Sequence, residues 1–142
     1  MLEHSEYVPA KSLARWFVNQ VDREAGELIT QLKLQKLVYY ADAWFLVHFD
    51  RPLISDDFEA WAHGPVIRPL YGKYAKHGWD ALPQESNPSL PNGVEDYLSA
   101  LFSEYGQYGA KTLEKMTHEE APWIEARGNL PPEANCKTKI SK

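Results

Sequence analysis

Asp56, Asp57, Glu59 and His63 lie close together in the chain, and carboxylates beside an imidazole are the usual material for moving protons or activating a water. With His118 added from further along, Glu59 and His63 outline a small hydrolase or nuclease site. A plainer reading competes, because an Asp pair in a tight turn commonly bonds its own backbone. The five histidines, His4, His48, His63, His77 and His118, include no pair at the three- or four-residue spacing that places two ligands on one helical face, so no metal site is expected. Cys136 is the only cysteine, which leaves no internal disulfide and no cysteine zinc framework. No glycine-rich phosphate cradle, serine elbow or Cys–His signature is present, and no cofactor is expected. Catalytic groups can converge from distant positions, so the enzyme reading stays as the alternative to a non-enzymatic one.

Binding chemistry is better represented. Lys36 stands one helical turn before Tyr40 and near Tyr39 in projection, a cation-and-aromatic grouping of the kind that makes interface hot spots if its face is open. If that face is closed, the Lys36 stem simply snorkels along it. Trp61 precedes His63-Gly64-Pro65, and Trp123 follows Pro122; most such tryptophans pack in the core and bond their indole N–H to nearby backbone. Lys33, Arg68, Lys73 and Lys76 could form a local positive patch, but a solvated helix face explains them more simply.

The elements that position these residues follow from periodicity. Pro9 can open an amphipathic helix carrying Leu13, Trp16, Phe17 and Val21 and ending near Gly26. Thr30 is a plausible N-cap for a long helix that runs to His48 without Gly or Pro. Its residues Leu34, Leu37, Val38, Ala41 and Phe45 form one apolar face; Tyr39, Tyr40, Leu46 and Val47 form another, with only Gln35 and Asp42 as a polar strip. Such a rod should be enclosed on more than one side. Leu53-Ile54 and Phe58–Trp61 read as a short hairpin around Ser55-Asp56-Asp57. Pro65 can open the next helix, ending near His77-Gly78, with Pro69 in its first turn. Residues 79–93 read as a polar, proline-rich surface loop. Asn92 with Glu95 suggests a capping box for a helix through Tyr105; Lys111–Met116 form a short helix, and Thr117 with Glu120 caps another. Residues 128–142 read as a polar tail, or as the start of a further element, with Ile140 as its isolated apolar side chain.

The whole fits one domain of 142 residues, mainly α with a little β (α+β), built around one long central helix. Hydrophobic residues at 44% and aromatics at 13% exclude a wholly disordered chain. A net charge of −5 disfavours nucleic acid as a partner for this chain alone. Neither an export leader nor a membrane span is readable, and with a single cysteine a reducing cytoplasm is the expected setting.

Taken in order, Leu32-Lys-Leu-Gln-Lys-Leu-Val-Tyr-Tyr-Ala41, Arg51-Pro-Leu53, Phe58-Glu-Ala-Trp61, His63-Gly-Pro-Val66, Tyr71 and Thr117-His-Glu-Glu-Ala-Pro-Trp123 resemble the Panacea antitoxin domain, the SocA-like family. The resemblance spans roughly residues 10–127, and its stretch from Leu32 to Val66 is the specific part. It implies a mainly helical domain over residues 1–127, encoded by bacteria, phages or other mobile elements. It further implies an antitoxin that neutralises a cognate protein toxin by contact, masking it or handing it to a cellular protease as an adaptor. On that reading Lys36, Tyr39, Tyr40, Trp61 and His63 are the candidate partner-binding residues. Leu34, Leu37, Gly64, Pro65, Val66, Thr117, His118, Pro122 and Trp123 belong to the structural motif.

Overall fold

The structure, a computed structural model, describes residues 7–142, so His4 and the rest of the first six residues lie outside the described residues. At its centre is α2 (Gln31–Phe49), begun by the Thr30 hydroxyl, which accepts from the Lys33 amide at 3.4 Å, and stopped at Asp50, whose φ of 56° is left-handed. From Gln31 to Asp42 every side chain except Lys33 is buried, whereas Trp44 and Val47 to Phe49 are exposed. The polar strip is enclosed too, and its groups are spent on backbone. The Gln35 carboxamide exchanges two hydrogen bonds with Ile67, and the Asp42 carboxylate accepts from the amides of Leu53 and Ile54 at 2.8 and 3.1 Å.

That use of Asp42 explains a difference from the expected hairpin. With their amides held by a side chain, Leu53 and Ile54 do not join a ladder, and the antiparallel pair is instead β1 (Glu59–Trp61) with β2 (Gly64–Val66), in the register Trp61 opposite Gly64. Pro65 therefore lies in a strand and opens no helix. The next helix, α3 (Arg68–Tyr74), has Pro69 in its first turn and passes into a 3-10 turn, Ala75–His77.

Around α2 pack α1 (Ala10–Val18), α3, α4 (Val94–Tyr105), α5 (Ala110–His118) and the hairpin, while α6 (Ala121–Arg127) lies against α5 and β1. Leu13, Phe17, Leu34, Leu37, Phe45, Leu98 and Leu113 are core residues. Several boundaries differ from the periodic reading. Helix α1 stops at Val18 rather than near Gly26, because Asp22 and Glu27 fold the following chain into a turn, their carboxylates accepting from Ala25 and Asp22 amides. Gly93, at φ 85°, replaces Asn92 as the cap of α4. Thr117 lies inside the last turn of α5, its hydroxyl donating back to the Glu114 carbonyl, and Glu120 precedes α6 without a side-chain cap.

Two segments expected at the surface are tied into the domain. In the loop 79–93, the Leu82 side chain is buried and its amide donates to the Ile29 carbonyl, while Asn19 bonds the Glu85 backbone in both directions. The segment 128–142 is likewise no loose tail. Arg127 donates to the carbonyls of Ala60, Pro131 and Ala134, Thr138 and Ile140 bond the backbone of Ala60 and Phe58, and Cys136 and Ile140 are buried. The Lys142 ammonium meets the second Asp42 oxygen at 2.9 Å. These are long-range pairings that no local pattern encodes.

An aromatic cleft over the hairpin

Helix α2 brings Lys36 beneath the hairpin. Its side chain has no solvent exposure, and its amine donates to the Pro65 carbonyl at 2.8 Å. Burial pushes the amine down to about 7, with the Glu114 carboxylate pulling the other way. The stem passes so close under β2 that a Cβ on Gly64 would stand 2.6 Å from Lys36 Cε and 2.8 Å from Thr117 Oγ1; Gly64 also has φ +100°. Only glycine meets both demands without strain. The opposite side of the hairpin is fixed by Trp123, whose indole donates to the Trp61 carbonyl at 2.8 Å, and His118 stacks on Trp123 at 4.0 Å. Burial moves the His118 imidazole below its ordinary value.

Above this base opens a cleft of about 190 Å³ whose walls include Gln31, Lys36, Trp61, His63, Tyr71 and Trp79. Arg68 grips Glu59 with two nitrogens, at 2.7 and 3.1 Å, and the Trp61 indole donates to the same carboxylate at 2.9 Å. The Trp61 ring thereby faces Tyr71 at 4.9 Å. His63 pairs with Glu114 at 3.1 Å and meets the edge of Trp79, over which Lys111 also lies. Tyr71 and Trp79 are 42% and 66% exposed, so the cleft presents rings already oriented by their neighbours.

The candidate binding residues are thus divided. Trp61 and His63 share the cleft, and Lys36 forms part of its floor. Tyr39 and Tyr40 face elsewhere: Tyr39 packs on Phe58, and Tyr40 stacks on Tyr105 and donates to Glu120 at 2.9 Å. Burial raises both phenols, Tyr39 to about 12. An open Lys36–Tyr39–Tyr40 face is therefore replaced by an enclosed one, and none of the three presents its polar tip to a partner. The motif residues Leu34, Leu37, Pro65, Val66, Thr117 and Trp123 are buried, and Pro122 sits in the first turn of α6. Glu59, His63 and His118 are each committed to a different neighbour, Arg68, Glu114 and Trp123, and none bonds another. The Arg68 bond holds the Glu59 carboxyl below its ordinary range. Asp57 pairs with Lys139, not with His63. Among the described residues no three His, Cys, Asp or Glu side chains gather as metal ligands would. The sequence reading missed Trp79, Tyr71 and Glu114 as site residues; the available sign was a tryptophan inside a polar, proline-rich loop.

The family model described as "Antitoxin SocA-like, Panacea domain" matches residues 34–124, from within the buried part of α2 to the Trp123 helix, and so takes in the whole hairpin and most of the cleft lining. The chain belongs to the SocA-like Panacea antitoxin family. The Panacea domain is similar to the Antitoxin SocA of Caulobacter vibrioides (strain NA1000 / CB15N), being 46% identical over 50 residues. That stretch is 35% of this chain and 27% of the relative, so the chain matches about a quarter of the length of that protein. No solved structure matches. Among the described residues of this Panacea domain, no helix is long and apolar enough to cross a membrane.

Proposed function

We propose that the chain is the antitoxin of a bacterial or phage toxin–antitoxin pair, acting in the cytoplasm, and that it binds its cognate protein toxin through the Trp61–His63–Tyr71–Trp79 cleft and masks it. The observation that carries this reading is the pre-set aromatic wall. Rings held by Arg68, Glu59, Glu114 and Lys111 lose little freedom when a partner covers them, which is the condition under which Trp and Tyr contribute most to an interface. Membership of an antitoxin family supports a non-enzymatic role, and the net charge of −5 favours encounter with the basic surface of a toxin that acts on nucleic acid.

The test is co-expression with the protein encoded beside this chain. Trp79→Ala should weaken the complex by roughly 30-fold, about 2 kcal/mol, and restore toxicity, while the melting temperature stays near that of the parent because Trp79 is exposed. Full rescue by Trp79→Ala together with Tyr71→Ala would remove the cleft from the account. Rescue that disappears in a host lacking its ATP-dependent proteases would replace masking by delivery to a protease.

A further inference from the structure

A second surface lies away from the cleft, where the exposed end of α2 meets α4. Trp44, Val47 and Phe49 are 39%, 67% and 43% exposed there. Trp44 and His48 form one wall of a groove of about 420 Å³, and Tyr97, Ala100, Leu101, Glu104 and Tyr105 form the rest. The helices that frame it are fastened to each other: Tyr97 donates to the Ala41 carbonyl at 2.6 Å, and the Trp44 indole donates to the Tyr105 hydroxyl. Soluble proteins seldom leave so many large apolar groups together in water without a use for them.

The charged side chains of α4, the longer wall of the groove, are all acidic. Asp96, Ala100 and Glu104 follow at four-residue intervals and so share one stripe of α4, with the small Ala100 leaving room between two carboxylates. Helix α4 contains no Lys or Arg, nor does α2 between Leu37 and Phe49. Glu120 lies beyond Tyr40 and Tyr105, and Arg51, past the end of α2, lies over Phe45. The groove runs between two helices and exposes no strand edge, which suits an apolar helix face and not an added strand. Its α4 wall runs from Tyr97 to Tyr105, about 13 Å, and spans somewhat over two turns of an occupant.

We infer that the groove between the end of α2 and α4 docks a basic amphipathic helix of a second protein, placing apolar side chains on Trp44, Tyr97 and Ala100 and Lys or Arg side chains against Asp96 and Glu104. This surface is separate from the cleft, so the domain can engage two partners.

The probe is a labelled synthetic helix of about 14 residues built from Leu and Lys with one apolar stripe, titrated against the full chain by fluorescence anisotropy, beside its Leu and Glu counterpart. The basic peptide should bind, and more weakly as salt is raised, whereas the acidic one should not. Ala100→Lys combined with Glu104→Lys should weaken binding roughly tenfold or more, with circular dichroism unchanged since both sites are at the surface. Trp79→Ala should leave it unaltered, which separates this result from the outcome at the cleft. Equal binding of both peptides, no binding, indifference to the double change, or loss through Trp79→Ala would each overturn the inference. So would a dimer of the chain alone that Ala100→Lys dissolves, since the groove would then be filled by a second copy.

Discussion

The cleft and the groove are both lined by rings, but the rings are held by different means. At the cleft, position is set through the backbone. Lys36 of α2 takes the Pro65 carbonyl, and Trp123 and Arg127 of α6 take the Trp61 and Ala60 carbonyls, so two helices hold the hairpin and the hairpin holds Trp61 and His63. At the groove, beside the Tyr97 bond to the Ala41 carbonyl, side chains mostly hold side chains: Trp44 against His48 and Tyr105, Tyr105 against Tyr40, Phe45 against Tyr97. A surface anchored through buried backbone bonds is coupled to the stability of the whole domain. One assembled from contacts on the outer faces of two helices can change with little cost elsewhere.

The sharpest way to break this contrast is Gly64→Ala. The added methyl has no room above Lys36 and Thr117, and the backbone stands in the left-handed region, so the substitution should cost at least ~3 kcal/mol in denaturant unfolding and abolish cleft binding with it. A tolerated alanine would mean that the hairpin is free to shift.

Next comes the pH profile set by Lys36. Its amine releases its proton near 7 in the folded chain but near 10.5 when unfolded. Between those values the unfolded state carries the extra proton, so stability should climb with pH, by up to ~1.4 kcal/mol per unit. Above pH 10 the climb should reverse, as unfolded tyrosines ionise before Tyr39, Tyr40 and Tyr97. Urea titrations from about pH 7 to 10 should show the rise in the parent and a flattened profile in Lys36→Met; a parallel rise in both would assign it to other groups.

The smallest effect belongs to the groove. Trp44→Phe keeps a ring but loses the bond to Tyr105, and should cost no more than about 1 kcal/mol while leaving cleft binding unchanged. A larger loss would show that the groove, too, is wired into the core.

The parts of the molecule that could be read in advance are those with local causes. Thr30 caps α2 because its hydroxyl serves an amide three residues on, and the second apolar face of α2 foretold its enclosure. What escaped depends on partners far away in the chain. Asp42 reads as a surface residue on a helix, yet it determines which segments become strands by capturing two amides after the helix ends. Arg127 marks only the point where the sequence turns polar, yet its carbonyl partners turn that polar segment back onto β1. The cleft was half legible for the same reason. Trp61 and His63 stand out beside Gly64-Pro65, but Trp79 reaches them only because Leu82 and Glu85 fasten its loop to the residues around α1 and α2.

The five tryptophans are also distributed in a useful way. Trp44 borders the groove, Trp61 and Trp79 border the cleft, and Trp16 and Trp123 are buried. Indole emission moves to the blue when water leaves the ring, so the native chain has a built-in optical gauge for each of its two faces. Replacing Trp44 by Phe silences the gauge of the groove, and replacing Trp61 and Trp79 together silences that of the cleft, so the order in which the two faces become covered can then be followed without attaching a dye.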